Sequence, residues 1–149
     1  FRNNVWYWRP LAEYVLKETK VIDEEDQDKW HYNDCHEVPK EQAEQIAKQL
    51  DHLVKSGHCK NFAQAWEKRR KKIEKHNKQV EKELEEHCRE VCFRLDKKNL
   101  APKDFPKEDQ EKWEQINNKR NSDGSYPFEE ENVKEFSEFC KNSGGFTIG

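Results

Sequence analysis

Asn61-Phe-Ala-Gln-Ala-Trp66-Glu-Lys-Arg-Arg-Lys-Lys-Ile73-Glu-Lys-His-Asn-Lys-Gln-Val80-Glu-Lys-Glu-Leu84-Glu-Glu-His-Cys88-Arg-Glu-Val91-Cys-Phe-Arg-Leu95-Asp-Lys97 is the stretch on which the fold turns. Phe62, Trp66, Ile73, Val80, Leu84, Cys88, Val91 and Leu95 fall on one stripe at close to helical spacing, and no Gly or Pro interrupts them. The spacing predicts one helix over about 61–97, roughly 55 Å long at 1.5 Å per residue. Between Glu67 and Gln79 only Ile73 is strongly apolar, so this part is expected to stand in solvent or to meet a partner. Arg69 and His76 sit where a heptad would need a second apolar seam, which disfavours a long coiled coil.

Outward from this run, Pro39 followed by Ala43, Ile46, Ala47, Leu50, Leu53 and Val54 predicts a helix closed by Gly57. Pro10 suits a first helical turn, giving a helix over about Trp8–Thr19. Asp23 to Asp28 reads as an acidic linker, and Lys29-Trp-His-Tyr-Asn-Asp34 alternates like a short strand. Beyond Pro102 and Pro106 a short helix is expected around Trp113 and Ile116. A last one runs over about Glu129–Asn142, with Val133, Phe136, Phe139 and Cys140 on its apolar face. Phe146-Thr-Ile148 is expected to pair with Trp30–Tyr32. The fold class is mainly α, four to five helices with a small two-stranded β patch, as a single domain over 1–149 from which the long helix protrudes.

Charged residues make up 40% of the chain and hydrophobic ones 32%, which leaves a small core. The aromatic residues, five of them Trp, nevertheless supply large buriable units and argue against disorder. No apolar run approaches the length of a transmembrane helix. The net charge of −3 and a pI near 6.1 exclude a generally basic nucleic-acid binder. Charge is unevenly spread: Glu18–Lys29 and Asn121–Gly149 are acidic, and Glu67–Lys82 is basic. An odd count of five Cys without a dense framework favours reduced thiols and a cytosolic setting.

Four kinds of chemistry compete. His31, Asp34, Cys35 and His36, the His58-Cys59 pair, and His87-Cys88-x₃-Cys92 suggest metal. The chain lacks zinc knuckles apart from the helical Cys pair, however, so neither metal nor cofactor is expected. Lys119 to Glu130 mimics a calcium loop, yet Lys119 stands where its first carboxylate belongs, and a helix-linking turn is the better reading. Arg69, Arg70, Lys71, Lys72, Lys75, Lys78 and Lys82 are a candidate interface for a partner protein or for nucleic acid. The plainer reading is a solvated face with Glu67–Lys71 and Glu74–Lys78 pairs. Arg2, Asn3, Asn4, Trp6, Trp8, Arg9, Asn33 and Asp34 are candidates for a pocket that binds a nucleotide-like or anionic ligand, since guanidinium forks, amides and aromatic faces suit one. Helix and turn capping competes for the same Asn and Asp residues. No phosphate loop, nucleophile elbow or zinc-protease helix appears, so an enzyme is not expected.

Phe1-Arg2-Asn3-Asn4…Trp6-Tyr7-Trp8-Arg9-Pro10-Leu11, the Tyr32-Asn33-Asp34 turn, and Glu131-Asn132-Val133…Phe136…Phe139-Cys140…Ser143-Gly144-Gly145-Phe146-Thr-Ile148 resemble a group of small uncharacterised bacteriophage-encoded proteins. The likeness covers about a third of the chain and omits its charged middle. It implies phage origin and action in the cytoplasm of an infected bacterium, with no reaction attached. The expectation is a phage accessory binding protein that acts on a host or anti-phage defence process. It would do so by inhibiting a host protein or by sequestering a nucleotide-like ligand. Nucleic-acid binding through 68–82 is the alternative.

Overall fold

The computed structural model describes residues 1–32 and 34–149. Among them are α1 (Val5–Thr19), α2 (Glu24–Tyr32), β1 (His36–Pro39), α3 (Lys40–Lys55), α4 (His58–Arg94), α5 (Lys107–Asn117), α6 (Glu130–Asn142) and β2 (Gly145–Ile148). The fold is mainly α with a small antiparallel sheet, as its sequence suggests, and has one helix more than expected. No helix of the described residues is long and apolar enough to cross a membrane. The chain divides into two compact units, residues 1–68 with 125–149, and residues 69–124.

In the first unit, the Asn4 side chain accepts the N–H groups of Trp6 and Tyr7 and starts α1 at Val5, earlier than Pro10 suggested. Pro10 therefore lies inside the helix, fully buried. Lys20, in left-handed backbone, ends α1. The acidic linker and the supposed strand at Lys29–Tyr32 are together one helix, α2. Its first turn carries Glu24, Glu25 and Asp26, which favour the positive end of the helix dipole. Alternation over so few residues does not separate strand from helix, and burial of Trp30 decides for helix.

Trp30 organises this core. Its indole N–H donates to His36 Nδ1 at 2.8 Å, and its carbonyl accepts the Trp8 indole N–H at 3.0 Å. Its ring meets Phe136 and Phe146 edge to face. With Trp30 in a helix, β2 pairs with β1 instead, in the register His36 with Ile148 and Val38 with Phe146. Gly145 makes this possible. Its φ is 105°, and a Cβ there would lie 3.0 Å from the Val38 carbonyl oxygen.

Helices α3 and α6 pack through Ala43, Ile46, Ala47 and Leu50 against Val133, Phe136 and Cys140. A polar clasp joins the pair: Ser137 Oγ lies within donating distance of Ala47 O (3.1 Å) and Asp51 Oδ1 (2.7 Å), and Lys141 Nζ lies 2.8 Å from Asp51 Oδ2. Gly57, at φ 79°, turns the chain from α3 into α4. There Tyr14, Phe62 and Phe128 form a mutual aromatic cluster, with Trp66 beside it and donating its indole N–H to Tyr126 O.

In the second unit, α4 buries Val80, Leu84, His87 and Val91 on one face, and Phe105 meets the His87 ring edge-on. His87 donates from Nε2 to Asp109 O at 2.9 Å, and Arg94 pairs with the Asp109 carboxylate. The polar stretch expected to stand in solvent or to meet a partner is covered in part by the chain itself. His76 donates to Lys119 O, and Asn77 exchanges two hydrogen bonds with the backbone of Asn121. Gly124 sits so close to Ile73 that a Cβ would fall 2.8 Å from its Cγ2.

Candidate functional site

The N-terminal segment, the first turns of α1, the end of α2, one face of α6 and β2 enclose a groove of about 660 Å³ in the first unit. That volume is within the usual range for a small-molecule site. Its wall is aromatic: Phe1, Trp8, Phe136, Phe139 and Phe146. Phe136 and Phe139 lie at 6.2 Å, Phe139 and Phe146 at 5.3 Å, and Phe1 rests on both α6 rings. The rim carries Arg2, Arg9 and His31, the amides of Asn3 and Asn4, and the exposed side chains of Val5 and Tyr32. No Asp or Glu is among the lining residues.

The polar groups divide into those already engaged and those available to a ligand. Asn4 Oδ1 caps α1, as the capping alternative foresaw, and Asn3 donates to Asn132 Oδ1 at 3.0 Å, so both hold structure. Each still keeps one amide atom with no partner among the described residues: Nδ2 of Asn4 and Oδ1 of Asn3. Arg9 is held in place. Its Nη1 donates to the Tyr126 hydroxyl at 2.8 Å, and its guanidinium lies 5.3 Å from the centre of that ring. Arg2 makes no hydrogen bond or ion pair among the described residues.

Arg2, Asn3, Asn4, Trp8 and Arg9 thus come together as the sequence suggested. Trp6 does not line the groove. It packs in a tilted arrangement against Tyr126, ring centres 5.4 Å apart, and is half exposed. Asp34 is exposed and is not among the lining residues. Asn33 lies outside the described residues. Reading the sequence missed His31, Tyr32, Thr147 and the use of Phe139 and Phe146 as wall. The α6 phenylalanines looked like core alone, although the aromatic face carried the signal.

The other candidate clusters are dispersed. His36 is committed to Trp30 and faces Asp26 at 3.5 Å. Tyr14 bonds His58 at 3.0 Å. Burial pushes the Cys59 thiol up to about 11 and that of Cys140 up to about 12. No group of three or more His, Cys, Asp or Glu among the described residues is placed to hold a metal ion. In the calcium-like segment Lys119 pairs with Glu83, and Asp123 pairs with Arg69.

On the basic helix Arg69 thus pairs with Asp123, and Lys78 pairs with Glu74. Arg70 and Lys71 have interactions of their own. The basic side chains are thus partly matched by carboxylates of the same unit. Comparison with protein-family models, with curated proteins and with solved structures finds no match for this chain.

Proposed function

We propose that the chain is a non-enzymatic binding protein of a bacteriophage, which sequesters a nucleotide-like ligand in the groove and so alters a host or anti-phage defence process. The observation that carries this reading is the pairing of an aromatic wall with two guanidinium groups: six aromatic lining residues, Arg2 and Arg9, and no Asp or Glu among the lining residues. A purine or pyrimidine ring suits the wall, and phosphate suits guanidinium forks. The phage setting and the cytoplasm of the infected bacterium rest on the resemblance of the two end segments. The alternative of nucleic-acid binding through Arg69–Lys82 is less favoured, because carboxylates of the same unit reduce the field that phosphates would meet.

Native mass spectrometry of the chain purified from bacterial cytoplasm, followed by titration with a panel of mononucleotides and cyclic dinucleotides, tests the proposal. One of these is expected to bind at micromolar concentration or below, and Arg2→Ala is expected to weaken it at least tenfold. A bare mass with no binding across the panel, or binding indifferent to Arg2→Ala, would sink it.

A second reading, inhibition of a host protein, is favoured by Phe93, 91% exposed on α4. A host protein retained by the wild type and lost with Phe93→Ser would favour that reading. Equal capture by both would remove Phe93 from the interface.

A further inference from the structure

Cys88 and Cys92 lie one turn apart on α4, both free and both partly exposed. They line a cavity of about 580 Å³ together with Arg89, Lys97, Lys98 and Leu100. The loop after α4 builds this cavity. Lys97 N–H donates to Cys92 O at 3.0 Å, and left-handed backbone at Asp96 and Asn99 brings residues 97–100 back beside the thiols. We infer that Cys88 and Cys92 form a two-thiolate site for a soft monovalent ion, Cu(I) in the cell.

Spacing separates this use from the alternatives. Helix neighbours four residues apart hold their Cβ atoms about 5–6 Å apart. A disulfide needs about 3.8 Å, so closing one would unwind the helix. An ion held linearly by two sulfurs, at metal–sulfur distances of about 2.3 Å, needs them about 4.6 Å apart, which this spacing allows. Zinc would ask for four ligands, and the described residues supply no group of three. Thiolates alone select Cu(I) among the biological metals that accept few ligands.

Charge balance agrees. Cu(I) and two thiols give a bis-thiolate complex of charge −1 and release two protons to solvent. Lys97 and Lys98 make no ion pair among the described residues and line the same cavity, while Arg89 is held by Glu85 at 3.6 Å. Burial, the neighbouring Cys92 and Glu85 raise the Cys88 thiol above its ordinary value, and a hydrogen bond with Trp113 works the other way. The ion itself must drive deprotonation, so binding tightens as pH rises.

The test uses the full chain with Cys35→Ser, which removes the exposed competing thiol, under anaerobic conditions. Titrated with the Cu(I) complex of bathocuproine disulfonate, it is expected to withdraw one ion per chain. Cys88→Ser and Cys92→Ser are each expected to weaken that at least a hundredfold, with unchanged far-ultraviolet circular dichroism. A measurement independent of these two variants is alkylation of the same chain loaded with Ag(I), in which Cys88 and Cys92 should be protected together. Failure to withdraw copper, retention of it by either single variant, unequal protection of the two thiols, or a Cys88–Cys92 disulfide in the folded chain would each overturn the inference.

Discussion

His36 accepts the only indole N–H of a tryptophan with no exposed surface. His36→Leu keeps the bulk but leaves that donor buried without a partner, which costs on the order of 1–3 kcal/mol. Urea unfolding should show this as a lower midpoint with an unchanged slope. Asp51 gives a second prediction at this scale. Burial works against its charge, but hydrogen bonds from Lys141 and Ser137 outweigh it and hold the carboxyl below its ordinary value. Such a group stabilises the fold fully above its unfolded pKa of about 3.9, and that contribution is lost as pH falls through the lower folded value. Melting temperature measured from neutral pH downward should fall in that acid window for the wild type, and less steeply for Asp51→Asn.

At the scale of elements, Asn77 fastens the chain after α5 to α4 with two hydrogen bonds to Asn121. Asn77→Ala should destabilise the second unit by about 1–2 kcal/mol, at 0.5–1.5 kcal/mol per bond. It should also speed amide exchange at Asn121 and Asp123 before it affects α4.

Much of the element order was legible in the sequence. The apolar spacing from Ala43 to Leu50 and the stripe from Phe62 to Val91 are helical, and they appear as α3 and α4. Helix α2 was not legible, because its nine residues bury one large side chain and show no period. Strand β1 was equally silent, since what makes four residues a strand is the distant partner Gly145–Ile148. The groove was half legible. Arg2, Asn3, Asn4, Trp8 and Arg9 are close in sequence and stay close in space, whereas the α6 and β2 wall reaches them only through folding.

Across the whole molecule, burial is unequal. The large contiguous apolar cluster, with Leu11, Trp30, Ile46, Val133 and Phe136, belongs to the first unit. Among the described residues the second unit buries Val80, Leu84, Val91 and Phe105. Hydrogen exchange should therefore find the slowest amides in α3 and α6 and faster ones in α5. The five thiols should be graded as well. Cys35 is exposed, Cys88 and Cys92 are partly covered, and Cys59 and Cys140 are buried with thiols held up to about 11 and about 12. At pH 8, Ellman's reagent should react with one thiol quickly, with two slowly, and with the last two only after unfolding.

The contact between Trp8 and Trp30 also has an optical consequence. Their ring centres lie 5.7 Å apart with planes 23° from parallel, and Trp8 forms part of the groove wall. Indoles this close couple through their strong far-ultraviolet transitions, which gives a dichroic band with lobes of opposite sign. A molecule settling on Trp8 perturbs one member of that coupled pair and alters the shape of the doublet. The protein thus carries a built-in chromophore for its own occupancy, readable without any label.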